Sequence, residues 1–129
     1  MPEKETLRRA KQDAREGKSA STQAGEFIRE EIHHVREGKH GARSAKQVIA
    51  IGLSKARRAG VKLSPPKAGT VSKSTRAQAV RDLKRGATKT KPSPKRSRAS
   101  SRKLKREGNA AASHQALSRH ARSAAKSRD

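Results

Sequence analysis

Cysteine, tryptophan and tyrosine are absent from this 129-residue chain, and phenylalanine occurs once. Without cysteine there are no disulfides and no thiolate metal sites, which suits a reducing compartment. Without tyrosine or tryptophan there is no platform for stacking unpaired bases, since the single ring, Phe27, lies in the charge-balanced N-terminal stretch. Long hydrophobic runs are missing too. No stretch approaches the ~20 apolar residues of a membrane span, and the start Met1-Pro-Glu-Lys-Glu-Thr has no apolar signal core. A soluble, cytoplasmic chain with no membrane partner is the expectation.

Acidic residues run out partway along the chain. Residues 1–37 hold 8 Lys/Arg against 8 Asp/Glu, whereas residues 38–129 hold 26 against 3, namely Asp82, Glu107 and Asp129. The net charge of +23 therefore arises entirely in the second stretch, and the sequence pI is about 11.7. Such an imbalance is the footprint of a chain that neutralises a polyanion, and nucleic acid is the commonest dense polyanion in a cell.

Large apolar side chains are few: Leu7, Phe27, Ile28, Ile32, Val35, Val48, Ile49, Ile51, Leu53, Val61, Leu63, Val71, Val80, Leu83, Leu104 and Leu117. Most lie between Phe27 and Leu63, so a cooperative core is expected there. The remainder approaches the composition of disordered chains, in which burial at about 25 cal/mol per Å² cannot offset the ordering entropy.

Helix punctuation is frequent. Ala24, Ile28, Ile32 and Val35 share one face and Gly38 follows as a stop, predicting a helix over 22–36. Ser44 caps a second over 44–59, with Val48, Ile49, Leu53 and Ala56 on one face and Gly60 at its end. Leu63-Ser64-Pro65-Pro66-Lys67-Ala68-Gly69 breaks the pattern. A third helix is expected over 74–85, with Ala77, Val80 and Leu83 on one side and Gly86 as its stop. Residues 87–98 read as an extended basic linker, followed by a short helical pattern near Ser101–Glu107 and a longer one over 113–127. The expected class is mainly α: a polar segment over 1–21, a small helical domain over 22–63, and a largely flexible basic half over 64–129 carrying short helices. Arg15-Glu-Gly, Arg36-Glu-Gly and Arg106-Glu-Gly recur before serine-led runs, either as a weak internal repeat or as reused helix ends.

The residues expected to meet phosphates are Lys39, Arg43, Lys46, Lys55, Arg57, Arg58 and Lys62 around the second helix, then Lys84 and Arg85. Along the tail they are Lys95, Arg96, Arg98, Arg102, Lys103, Lys105, Arg106, Arg119 and Arg122. Ser93-Pro94-Lys95-Arg96 resembles the SPKK-type units of linker-histone and histone tails, which follow narrow minor grooves. A helix-turn-helix over 27–60 is disfavoured by the seven-residue joint Gly38–Ser44. His33, His34 and His40 raise the question of a metal, and Glu30 with His34 or His33 with Glu37 has i,i+4 spacing. No HExxH pattern fixes a ligand set, so no metal and no cofactor are expected. Nothing marks an activated nucleophile, so neither is catalysis.

The run from Phe27 to Leu63, and in particular Gly38-Lys-His-Gly-Ala-Arg-Ser44 and Ala50-Ile-Gly-Leu-Ser-Lys-Ala-Arg-Arg-Ala-Gly60, resembles a bacterial domain family of unknown function. Its members are small basic proteins, sometimes labelled plasmid-stabilisation proteins. The resemblance covers about residues 23–67 and implies a bacterial, DNA-associated role.

Together these readings predict a non-enzymatic, sequence-tolerant DNA-binding protein of the nucleoid or of plasmid maintenance. One alternative is an RNA- or ribosome-associated basic protein. Another is a protein-interaction module brought to nucleic acid by its tail. The helices over 22–36 and 44–59 would pack either within one chain or across a homodimer.

Overall fold

The computed structural model describes residues 2–88 and 93–127. These contain α1 (Lys4–Arg15), α2 (Ala20–Arg36), α3 (Ala45–Arg58), α4 (Lys73–Thr88), α5 (Pro94–Lys105), a 3-10 turn at Ala110–Ala112, and α6 (His114–Ser127). Within them the only β-type pairing is an isolated bridge between Ala68 and Val71. No described helix is long and apolar enough to cross a membrane.

Serines start most of these helices. Ser19, Ser44, Ser72 and Ser113 each accept a backbone N–H three residues on through Oγ, at 3.1–3.2 Å. Glycines end two of them as the sequence predicts. Gly38 and Gly60 take φ of 76° and 103°, and the N–H groups of Lys39 and Val61 reach back to the carbonyls of His34 and Ala56. The Arg15-Glu-Gly end of α1 repeats this geometry at Gly17, with φ 75°.

The chain divides into two compact units, one drawn from Met1–Glu30 and Gly52–Lys91, the other from Glu31–Ile51 and Pro92–Asp129. In the first, Phe27 is fully buried among Ala10, Ala24, Ala56 and Val61, with Leu7, Ala20, Leu53 and Leu63 packed around them. The polar segment over 1–21 thus supplies a helix whose thin apolar stripe, Leu7 and Ala10, joins that core. In α4 the buried residues are Ala79, Asp82 and Gly86, while Ala77 is exposed and Val80 and Leu83 are half-buried. The expected face is thus displaced, because it is set by Asp82. Its carboxylate accepts bonds from Ser54 Oγ (2.8 Å), Arg58 Nε (3.0 Å) and Gln78 Nε2 (3.0 Å). Gly86 does not stop α4, which runs on to Thr88. Its missing side chain instead admits the end of α3, since a Cβ there would stand 2.0 Å from the Arg57 carbonyl oxygen.

In the second unit Val35, Ala42, Val48, Ala111 and Ala112 form the core, with Ile32 against it. The expected flexible C-terminal half is instead ordered. Gly41 N–H donates to the Leu104 carbonyl (2.7 Å), Ala42 N–H to that of Gly108 (2.9 Å), and Arg36 Nε to that of Ala112 (2.8 Å). Alanines fill this core, and they leave no mark in a count of large apolar residues. The expected linker over 87–98 is also corrected. Ala87 and Thr88 finish α4, residues 89–92 lie outside the described residues, and Pro94 opens α5 at a position where its fixed φ suits a helix and no N–H is missed.

Two substitutions test this packing by chemical denaturation followed by circular dichroism. Gly86→Ala is expected to lower stability by about 1–3 kcal/mol, because a backbone carbonyl must give way. Asp82→Ala, which strips three donors of their acceptor, is expected to cost about 2 kcal/mol, with Asp82→Asn between it and the parent.

Candidate nucleic-acid interface

Counted by unit, the cations are evenly shared. The first unit holds 19 Lys/Arg against 7 acids and the second 15 against 4, giving net charges of +12 and +11. The positive field therefore belongs to both folded units and not to a tail.

α5 is the most exposed part of the second unit. It has no buried residue, and of its 12 residues Lys95, Arg96, Arg98, Arg102, Lys103 and Lys105 are basic and none is acidic. Only Leu104 is half-buried. Lys95, Arg98, Arg102 and Lys105 recur at helical spacing and form one stripe about 15 Å long at 1.5 Å per residue. Arg106 follows at the helix end, where a cation suits the dipole.

A second basic surface gathers around the start of α3. An open concavity of about 390 Å³ is lined by Arg43, Ser44 and Lys46 from that end, by Ala111, and by Arg119 and His120 from α6. Ser44 caps the helix, and Gln47 folds back so that its Oε1 accepts the Arg43 N–H at 2.6 Å. That pair locks the first turn with its N-terminal dipole toward the hollow. One acid stands at the edge, with Glu107 3.9 Å from Arg43 Nε. Arg119 also borders a neighbouring hollow on α6 with His114, Gln115, Ser118 and Arg122. Lys39 is exposed in the loop before α3 and lies 3.5 Å from Glu37.

The first unit places its expected contacts differently. Lys62 and Lys84 are exposed and Lys55 and Arg85 half-buried. Arg57 is buried, donating from Nε to the Leu63 carbonyl (3.1 Å) and from Nη2 to that of Ser64 (3.0 Å). Burial pushes its guanidinium below the ordinary arginine value, with the nearby Asp82 charge acting in the opposite sense. Arg58 holds the buried Asp82. Arg57 thus closes the turn after α3, and Arg58 anchors α4.

Histidines form a third cluster. Glu31, His34 and His40 bring a carboxylate oxygen and two ring nitrogens within 4.8 Å of one another. The sequence-based pairs through Glu30 and Glu37 missed this set. Its signal was the i,i+3 pair Glu31 and His34, with His40 returned by the glycine stop at Gly38.

The division of labour among the arginines is open to measurement. Arg57→Ala is expected to lose about 1–2 kcal/mol of folding stability, since two carbonyls lose charge-assisted donors. Lys46→Ala and Arg119→Ala are expected to stay within about 0.5 kcal/mol of the parent in the same urea titration.

No curated protein and no solved structure matches this chain. A family model described as "Family of unknown function (DUF6496)" matches residues 4–68, so the match begins at α1 rather than at residue 23. It spans half of the sequence, and the chain accordingly belongs to the DUF6496 family.

Proposed function

We propose that this protein binds double-stranded DNA without enzymatic action and with little regard to sequence, by neutralising phosphates with folded basic surfaces. The observation that carries this reading is α5, a helix with six cations, no acid and no buried residue. With only Leu104 half-buried, α5 draws little stability from a core and presents cations along its length. Duplex DNA carries one negative charge per about 1.7 Å of axis, so a basic stripe of about 15 Å can meet several phosphates.

The mechanism is counterion release. Each Lys or Arg that replaces a condensed cation adds an entropic gain that disappears as salt rises. The hollow at the start of α3 adds Arg43, Lys46 and Arg119 around a helix N-terminus, which suits a phosphate oxygen. With no tyrosine or tryptophan, and with the seven-residue joint Gly38–Ser44 longer than a helix-turn-helix turn, contacts to the backbone supply the affinity and base edges supply little. This reading replaces extended arms with ordered helices, and it serves nucleoid association or plasmid maintenance equally.

The test uses the full chain, because each unit draws on distant stretches of the sequence. Affinity for a duplex is measured against salt for the parent and for a variant with Lys95, Arg98, Arg102 and Lys105 changed to Gln. The slope of log K against log salt is expected to fall by about 3–4 in the variant, near 0.9 per lost contact. An unchanged slope removes α5 from the interface. Tighter binding to a structured RNA of equal charge transfers the reading to RNA, and salt-resistant, sequence-dependent binding makes the protein a specific reader.

A further inference from the structure

Glu31 is completely buried in the second unit, on α2. His34 stands one turn further along the same helix, its Nδ1 3.8 Å from Glu31 Oε1, and the rings keep only 13% and 14% exposure at His34 and His40. His40 arrives from the loop beyond Gly38 and places its Nε2 2.9 Å from Glu31 Oε2. Two imidazoles thus face a fully buried carboxylate.

The hydrogen bonding of His40 limits what can occupy that contact. Its Nδ1 lies 2.9 Å from the Gly41 carbonyl oxygen, which can only accept, so this nitrogen carries the ring proton. Nε2, the remaining ring nitrogen, therefore faces Glu31 Oε2. Either a proton or a metal ion closes a contact of that length. A backbone carbonyl on the far nitrogen is also the contact that fixes metal-binding imidazoles in their tautomer and orientation.

We propose that Glu31, His34 and His40 form a binding site for a divalent ion of the zinc or cobalt type, held by one carboxylate oxygen and two imidazole nitrogens. Two nitrogens and one oxygen are a donor set that such borderline ions accept, with a fourth position for water. Ligands of a tetrahedral ion with bonds of ~2.0–2.1 Å stand ~3.3 Å apart. The 2.9 Å and 3.8 Å separations bracket that value, and none of the three exceeds 4.8 Å. The two rings meet nearly edge to face, with planes at 81°, and do not stack. A bound ion would tie α2 to the loop that leads through Arg43 into α3.

This site stands apart from nucleic-acid binding, and its test contains none. Full-length protein without an affinity tag is titrated with Co²⁺ under visible absorption and then with Zn²⁺. One equivalent of cobalt is expected to develop the d–d bands of a four-coordinate ion and to be displaced by zinc. His34→Gln and His40→Gln are each expected to weaken binding by at least ~10-fold, while His33→Gln and His114→Gln titrate like the parent. Circular dichroism confirms that each variant is folded. In the parent, NMR of the ring nitrogens under added Zn²⁺ must shift His34 and His40 and leave His33, His114 and His120 in place, a readout that needs no variant. Absence of saturable one-to-one binding, or binding carried by the other histidines, overturns the proposal and leaves Glu31 and His40 as an imidazolium–carboxylate pair.

Discussion

The buried carboxylate of Asp82 is the contact on which the first unit depends. It is the only acid between Glu37 and Glu107, and it is spent inside the protein, not on the surface. Ser54 and Arg58 reach it from α3 and Gln78 from its own helix, so a polar bond does what a wide apolar face does in a less charged protein. Glu31 holds the corresponding place in the second unit, buried and faced by His40. Asp13 and Glu30 are buried as well. Sequestering scarce carboxylates leaves the exterior with few counter-charges, and the positive field is a direct product of how the interior is held.

Small side chains complete that arrangement. Phe27 is the only large ring, and around it and around Val35 and Val48 the buried positions are mostly alanine. Alanine costs no side-chain entropy on burial and favours the helix, so close helix approach replaces bulk as the source of packing. Gly86 shows the limit of this economy, where α4 lies against the Arg57 carbonyl with no room for a methyl group.

Helix ends were the legible part of the fold, because a cap needs only neighbours in sequence. Ser44, Gly38 and Gly60 were read correctly for that reason. α1 was not anticipated, and α5 only in part through the pattern near Ser101–Glu107, because neither helix carries periodic large apolar residues. The order of the C-terminal half depends on Ala111 and Ala112 meeting Ala42 and Val48, a long-range event between residues that look inert in the sequence. The excess of cations was legible as a charge count. Its internal division was not, since nothing in the adjacent Arg57 and Arg58 marks them as structural until the turn after α3 and Asp82 are seen beside them.

The bareness of α5 has a consequence for how the sequence can change. Its exposed cations are constrained chiefly by helix propensity and by charge, so lysines and arginines there can exchange, shift register or trade places with serine at little cost to folding. Ala112 and Gly86, which carry no charge, have far less latitude, because Ala112 is fully buried and a Cβ at Gly86 meets the Arg57 carbonyl. Drift in this protein is thus expected to be fastest on its most basic helix and slowest at its smallest residues.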